Sequence, residues 1–333
     1  MPVHATLANR WSFDNAAGNA PAGTTMTDSV GSAVATVKGN GSTFNGSSLT
    51  ITGATTGARS AGFISGYVNL PNGIISSKTN LSVEIWATPV SAKTWQRLFD
   101  FGRTTSTTGF GSGSVAGEIN DVIGNNAGTT SGSDGIFLSM CTGTTTLAAQ
   151  AMEMRLDGGN IVTGTSALVT TAGTQYHYVF TFEDGVGTYG AGGGRMSWYR
   201  NGTLAASGDV AFHLSSLEDV NNWLGRSQWT ADNMANVTYN EFRLYDHVLS
   251  SAEITANLAA GPDSIVVPEP PVTVNPPTPD HLWTFTEQAS SAVASGKTFT
   301  DSIGGKVMAL RGNGATLSGT AVVLPGSTTG NAG

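Results

Sequence analysis

One cysteine, Cys141, is all the thiol the chain has, which excludes an intrachain disulfide and any cysteine-based zinc cluster. It ends the run Ile136-Phe137-Leu138-Ser139-Met140-Cys141, where a small buried hydrophobe is the expected role. Charge is scarce too: Asp, Glu, Lys and Arg make up 11% of residues, against about 25% in ordinary globular proteins. The formal net charge is -8, and no cluster of Lys and Arg stands out. Nucleic acid is therefore excluded as the main partner, because a phosphate backbone is held by grouped cations. No apolar run approaches the ~20 residues of a membrane span. The opening Met1-Pro2-Val3-His4 has neither the basic nor the apolar region of an export signal, so such a signal is expected to have been removed or to lie upstream.

What is present is glycine, with 44 residues, beside abundant Ser, Thr and Asn. These satisfy turn backbones locally and tolerate positive φ, so the composition suits many short strands joined by polar turns. Leu81 to Ala87 alternates, with Leu81, Val83, Ile85 and Ala87 on a core face and Ser82, Glu84 and Trp86 on a half-exposed one. Similar runs are Arg97–Phe101, Ile136–Cys141, Ala151–Leu156, Tyr176–Phe182, Met196–Arg200 and Tyr239–Tyr245. Asn201-Gly202 predicts a type I′ hairpin turn. Ser250-Ser251-Ala252-Glu253 offers a capping box for one short helical turn. Gly102–Asp134 and Gly185–Gly194 read as polar surface loops.

The chain also begins the same pattern twice. Trp11-Ser12-Phe13 recurs as Trp283-Thr284-Phe285, and Thr27–Ser60 aligns without a gap to Thr300–Gly333. Between the copies, Val267-Pro268-Glu269-Pro270-Pro271 and Pro276-Pro277-Thr278-Pro279 predict an extended spacer. The expected organisation is a domain over 1–262, a Pro-rich linker over 263–279 and the opening fragment of a second copy over 280–333, within a longer repeat protein.

Five stretches in order resemble one family. They are the opening strand with Trp11, Phe13 and Asp14 leading to Asp28-Ser29-Val30-Gly31; Tyr67–Pro71; Leu81–Trp86; Tyr176–Gly185 with Arg200-Asn201-Gly202; and the closing stretch Asn240–Ser250. Together they resemble the laminin-G-like, or concanavalin A-like, jelly-roll modules of large secreted and surface proteins. The resemblance implies an all-β sandwich of two antiparallel sheets with adjacent terminal strands. Trp11, Phe13, Val83, Ile85, Phe99, Val179, Trp198, Phe242 and Leu244 are its expected core. It also implies an extracellular or cell-surface setting and further domains in the same chain.

Glucan hydrolases of this architecture place catalytic carboxylates on one strand as Glu-x-Asp-x-Glu. Glu118-Ile119-Asn120-Asp121-Val122 departs from that pattern at Asn120 and lacks the second glutamate, so no enzyme activity is expected. His177, between Tyr176 and Tyr178, reads as a packing or hydrogen-bonded histidine. The resemblance implies a structural calcium at the sandwich rim, matched here by Asp14 and Glu241 with Asn240 replacing the usual Asp, a departure that leaves solvated turn carboxylates as the favoured reading and the calcium site as its rival. For a glycan or glycoprotein ligand, Trp223, Arg226, Gln228 and Trp229 offer indole, guanidinium and amide groups within seven residues, although a core role for Trp223 and edge packing for Trp229 are the favoured readings of the two indoles. A non-catalytic binding or adhesion module is the favoured expectation. A structural spacer and a glycan-active enzyme are its rivals.

Overall fold

The computed structural model describes residues 7–53, 65–105, 110–111, 115–120, 130–142, 147, 150–166, 168–265, 279–289 and 292–326. The chain divides into two compact units, Met1–Pro268 and Glu269–Gly333. Most of the predicted spacer, 266–278, lies outside the described residues.

The first unit is a sandwich of two antiparallel sheets. One sheet runs in the order β17 (Thr203–Val210), β16 (Gly194–Arg200), β15 (Tyr176–Asp184), β8 (Leu81–Pro89), β19 (Val237–Tyr245), β6 (Leu49–Ile51), β5 (Ser42–Phe44), β2 (Gly18–Ala20), and β1 (Leu7–Trp11) also pairs with β19. The other runs β14 (Gly159–Ser166), β13 (Gln150–Leu156), β12 (Gly132–Ser139), β9 (Arg97–Thr104), β18 (Asn221–Leu224), β7 (Tyr67–Leu70), β4 (Val34–Lys38), β3 (Thr25–Thr27). Two-residue strands β10 (Phe110–Gly111) and β11 (Ile119–Asn120) pair in parallel. The pairing of β1 with β19 makes the first and last strands of the sandwich neighbours.

Alternation builds the core. Phe99 and Phe101 of one sheet meet Phe180 and Phe242 of the other edge to face, with ring centres 5.8 and 6.2 Å apart, and Trp11 packs on Phe242 at 5.8 Å. Each such buried side chain is worth roughly 1.5–3 kcal/mol. Val179 turns away from this core and instead meets Tyr245, Leu249 and Ile254 beneath the helix. The Asn201-Gly202 turn joins β16 to β17 with φ of 49° and 78°, as a type I′ turn requires.

Three expectations need correction. Helix α1 (Ser251–Ala260) is a ten-residue helix rather than one turn, though its capping box is present: Glu253 N donates to Ser250 Oγ and Ser250 N donates to Glu253 Oε2. The ends of the two predicted loops are strand, since β9 extends to Thr104, β12 begins at Gly132 and β16 begins at Gly194. The second face of β8 is not half-exposed either.

Ser82, Glu84 and Trp86 are buried. The Glu84 carboxylate accepts from His177 Nε2 (2.8 Å), Arg243 Nη1 (3.2 Å), Tyr245 Oη (2.6 Å) and Asn257 Nδ2 (2.9 Å). Arg243 lies over the Trp86 ring at 4.6 Å and donates to the carbonyls of Pro262 and Ser264. Burial opposes ionisation of Glu84, but the His177, Tyr245 and Arg243 contacts outweigh it and hold the carboxyl below its ordinary range. This cluster fastens α1 and the segment after it to the sheet.

In the second unit, β20 (Thr298–Thr300) pairs with β21 (Val307–Ala309) and β22 (Thr316–Leu317) with β23 (Val322–Val323). Val293, Phe299, Ala315 and Leu317 form a small cluster, with Trp283, Phe285, Leu310 and Val322 packed partly buried against it. The repeated Asp-Ser-(Val/Ile)-Gly stretch makes the same turn in both units. Asp28 Oδ1 accepts from Arg10 N and Val30 N at 2.8 and 2.9 Å, and Asp301 Oδ1 accepts from Leu282 N and Ile303 N at 2.6 and 2.9 Å. Gly follows each aspartate at the third position because a Cβ there would meet the carboxylate, at 2.5 Å from Gly31 and 2.7 Å from Gly304.

Candidate functional site: a cleft on the outer face of one sheet

Strand register sets one row of side chains across the outer face of the β9-containing sheet. Glu153, Phe137, Asp100, Trp223 and Asn69 stand opposite one another on β13, β12, β9, β18 and β7. The segment 225–236 folds over this row. Gln228 N donates to Asp100 Oδ2 (3.1 Å), Thr130 Oγ1 donates to Gln228 O (2.9 Å), and Ala235 N donates to Gly225 O (2.9 Å).

Three of the four residues proposed from sequence to touch a ligand are fully buried: Trp223 beneath that segment, in the core role favoured for it from sequence, and Arg226 and Gln228 within it, packed inward rather than open to a ligand. Trp223 Nε1 donates to Asn69 Oδ1 at 2.9 Å. The Arg226 guanidinium is stacked on Tyr67 (4.6 Å) and Trp223 (4.3 Å). The Gln228 amide and the Asn221 side chain hydrogen-bond each other's neighbourhood, with Asn221 Nδ2 on Gln228 Oε1 (3.0 Å) and Gln228 Nε2 on Asn221 O (3.1 Å). They form the floor on which Trp229 is mounted.

Trp229 itself is half-buried and lines a cleft of about 270 Å³ together with Trp95, Arg97, Phe137, Glu153, Arg155 and Asp232. Its indole meets Phe137 edge to face at 5.8 Å, and the Arg155 guanidinium lies 4.5 Å from its ring centre. Gly132 lies directly beneath it: any Cβ there would run into the indole. Arg97 is buried over the Phe137 ring at 3.9 Å and donates to Asp100 Oδ2 (3.2 Å), Trp95 O (2.9 Å) and Asp232 Oδ2 (2.8 Å). Arg155 Nε donates to Glu153 Oε1 at 2.6 Å. Burial pushes the Asp100 carboxyl up to about 6 against the pull of Arg97. Trp95, also half-buried, holds φ of 56°, a left-handed backbone that costs a bulky residue of order 1–3 kcal/mol. Sequence reasoning missed Trp95, Arg97, Phe137, Glu153, Arg155 and Asp232. Only the alternation Met152-Glu153-Met154-Arg155 signalled in advance that Glu153 and Arg155 share a face.

The calcium candidates are not assembled as a ligand set. Glu241 is buried, with its carboxylate held by the Arg10 guanidinium and by Arg243 Nε at 2.7 Å. Two guanidinium groups already neutralise it, so its oxygens do not suit a cation that needs several further oxygen donors. Asp14 is exposed on the segment after β1, and Asn240 is half-buried. Among the described residues no three His, Cys, Asp or Glu side chains converge as a metal-ligand group. Glu118 accepts from Asn72 Nδ2 at 3.0 Å, and Asp121 lies outside the described residues. No described helix is long and apolar enough to cross a membrane.

A laminin G model, described as the concanavalin A-like lectin/glucanases superfamily, matches residues 60–255, more than half of the chain. The chain belongs to that superfamily, and its fold is the superfamily's jelly-roll sandwich. Comparison with curated protein sequences found no match. Among solved structures, domain 4 of AbnA, a GH43 extracellular arabinanase from Geobacillus stearothermophilus in complex with arabinotriose, is 17% identical with a TM-score of 0.48, covering 77% of this chain and 99% of that one. Trypanosoma rangeli sialidase in complex with sialic acid is 16% identical with a TM-score of 0.45, covering 74% of this chain and 32% of that one. The binding domain of botulinum neurotoxin DC in complex with SialylT is 13% identical with a TM-score of 0.43, covering 77% and 51%. The chain thus spans about a third of the sialidase and about half of the toxin fragment.

Proposed function

We propose that the first unit is a non-catalytic glycan-binding module and that the sugar sits in the cleft lined by Trp95 and Trp229. One observation carries the reading: two half-buried indoles open into one small cleft whose remaining walls are the Phe137 ring and guanidinium and carboxylate groups. Sugar rings present an apolar C–H face and a rim of hydroxyls, and indole faces beside hydrogen-bonding groups match both. Membership of a superfamily of lectins and glucanases agrees with this. The raised carboxyl of the neighbourhood, Asp100, is buried and bonded to Arg97 and to Gln228 N, which suits a structural role better than proton transfer to a ligand.

The wider setting we propose is a secreted or cell-surface repeat protein, with adhesion through glycans or glycoproteins as the role. The low charge, the Ser/Thr/Gly-rich composition and the shared Asp28 and Asp301 turns support it.

A glycan array probed with the intact chain and with its Trp95→Ala and Trp229→Ala variants tests the reading. Binding by the intact chain that both variants lose supports it, whereas an empty array returns the module to a spacer role. Release of reducing sugar from a bound glycan would replace the non-catalytic assignment with that of a glycan-active enzyme.

A further inference from the structure

The charge arrangement of the cleft goes further than its aromatic lining. Its cations are Arg97 and Arg155; its anions are Glu153, Asp232 and, directly below, Asp100. Arg97 spends its Nε on Asp100, one Nη1 hydrogen on the Trp95 carbonyl and one Nη2 hydrogen on Asp232, and its guanidinium face lies on Phe137. Arg155 is engaged by Glu153 and by the Gly132 carbonyl (3.3 Å) and lies over Trp229. Neither guanidinium is left as an uncompensated cation. With two positive groups against three carboxyls, the cleft has no net positive charge whether or not Asp100 carries a proton. Lys93, on the loop that carries Trp95, does not line it.

Recognition of a carboxylated or sulfated sugar calls for a cation whose charge is not already neutralised, because the anion must give up its water. Here such a sugar would bring its charge against Glu153 and Asp232. A neutral sugar meets the opposite situation: its hydroxyls donate to those carboxylates, accept from the remaining guanidinium hydrogens, and leave the C–H face for the indoles. Resting on the glycan-binding reading above, we infer that this cleft selects neutral, hydroxyl-rich saccharides and discriminates against sialylated, sulfated or uronate-bearing ones by like-charge repulsion.

Calorimetric titration of the full chain with matched probes tests this, using neutral trisaccharides of glucose, galactose, mannose and arabinose beside trigalacturonate, sialyllactose and a sulfated galactose trimer. The expected result is binding of at least one neutral probe, with acidic probes about tenfold or more weaker, a difference of one decade in Kd. Asp232→Asn and Glu153→Gln, each confirmed folded by its melting transition, should narrow that gap by improving acidic binding. Two variants are used so that one misfolded protein does not decide the matter. Acidic probes bound as tightly as neutral ones, or more tightly and with strong weakening by salt, would overturn the selectivity and leave glycan binding standing. Failure of every probe of both classes, together with an empty array, would overturn the glycan reading itself.

Discussion

Arg97 donates through Nη2 to Asp232 Oδ2 at 2.8 Å and so ties the start of β9 to the segment that carries Trp229. Asp232 also accepts from Ser227 Oγ at 2.8 Å, which closes the segment on itself. Removing this acceptor in Asp232→Ala takes one partner from a buried guanidinium. The expected cost is about 1.5–3 kcal/mol, the range for hydrogen bonds to charged groups. Urea unfolding measures it, and amide exchange at 225–236 should quicken by more than elsewhere in the sandwich.

A larger loss is expected at Glu84. Its carboxylate is the shared acceptor of His177, Arg243, Tyr245 and Asn257, all buried. Glu84→Ala leaves Arg243 with Glu241 alone as its anion, strands the His177 and Tyr245 donors and leaves Asn257 Nδ2 with only Tyr245 Oη, so destabilisation of about 3–5 kcal/mol is expected. Because two of the four partners lie in or just before α1, hydrogen exchange should show residues 251–260 opening first.

Acid stability separates two aspartates by sign. Burial raises Asp100 from 3.8 to about 6. The folded state therefore takes up a proton there before the unfolded chain does, and this group's contribution to stability falls as pH rises from about 4 to about 6. Asp28 runs the other way. Burial raises its carboxyl, but hydrogen bonds from Asn9 and from the Arg10, Val30 and Gly31 amides hold it below 3.8, so its contribution is present above that value and is lost on acidification. In unfolding free energies measured between about pH 3 and 7, Asp100→Asn should make the slope from 4 to 6 more positive. Asp28→Asn should remove part of the loss seen at the acid end.

The second unit carries apolar positions whose counterparts in the first are covered. Leu324 is 67% exposed, while Ile51, at the matching place in the first copy, is fully buried; Met308 and Ala35 compare in the same way. Its hairpins also present unpaired edges. Residues 269–333 expressed alone should associate with themselves on size-exclusion chromatography, and Leu324→Lys should reduce that association. Limited proteolysis of the whole chain should cut between Pro268 and Asp280 and leave the first unit intact.

The sandwich was legible because period-two alternation reports directly on a sheet with one buried face. The Trp11, Phe13, Ile85, Phe99 and Leu244 positions are in the core as expected. What alternation cannot report is a second layer. Glu84 and Trp86 stand on the polar face of β8, yet Tyr245, Asn257 and the Pro262 and Ser264 carbonyls, some 160 to 180 residues later in the chain, cover that face. For Glu241 a local signal was present: Arg243 lies two residues on, on the same face of the strand, and marked the ion pair that the two residues form.

The cleft was legible only at Trp229. Apart from Asp232, three residues on, its other walls come from the loop after β8 and from β9, β12 and β13, which only the pairing of distant strands brings together. The mixed composition of 221–229 pointed to the right segment for a different reason. Trp223, Arg226 and Gln228 hold the segment down, and Trp229 is the part that emerges.

Where a sugar lands on the chain is reported directly by the indole N–H signals of the seven tryptophans. Two-dimensional NMR of the intact chain during titration with the neutral trisaccharide that binds best should shift the signals of Trp95 and Trp229. Those of Trp11, Trp86, Trp198, Trp223 and Trp283 should stay in place. Shifts confined to Trp283, or saturable binding with Trp95 and Trp229 both unmoved, would contradict the assignment of the cleft as the glycan site.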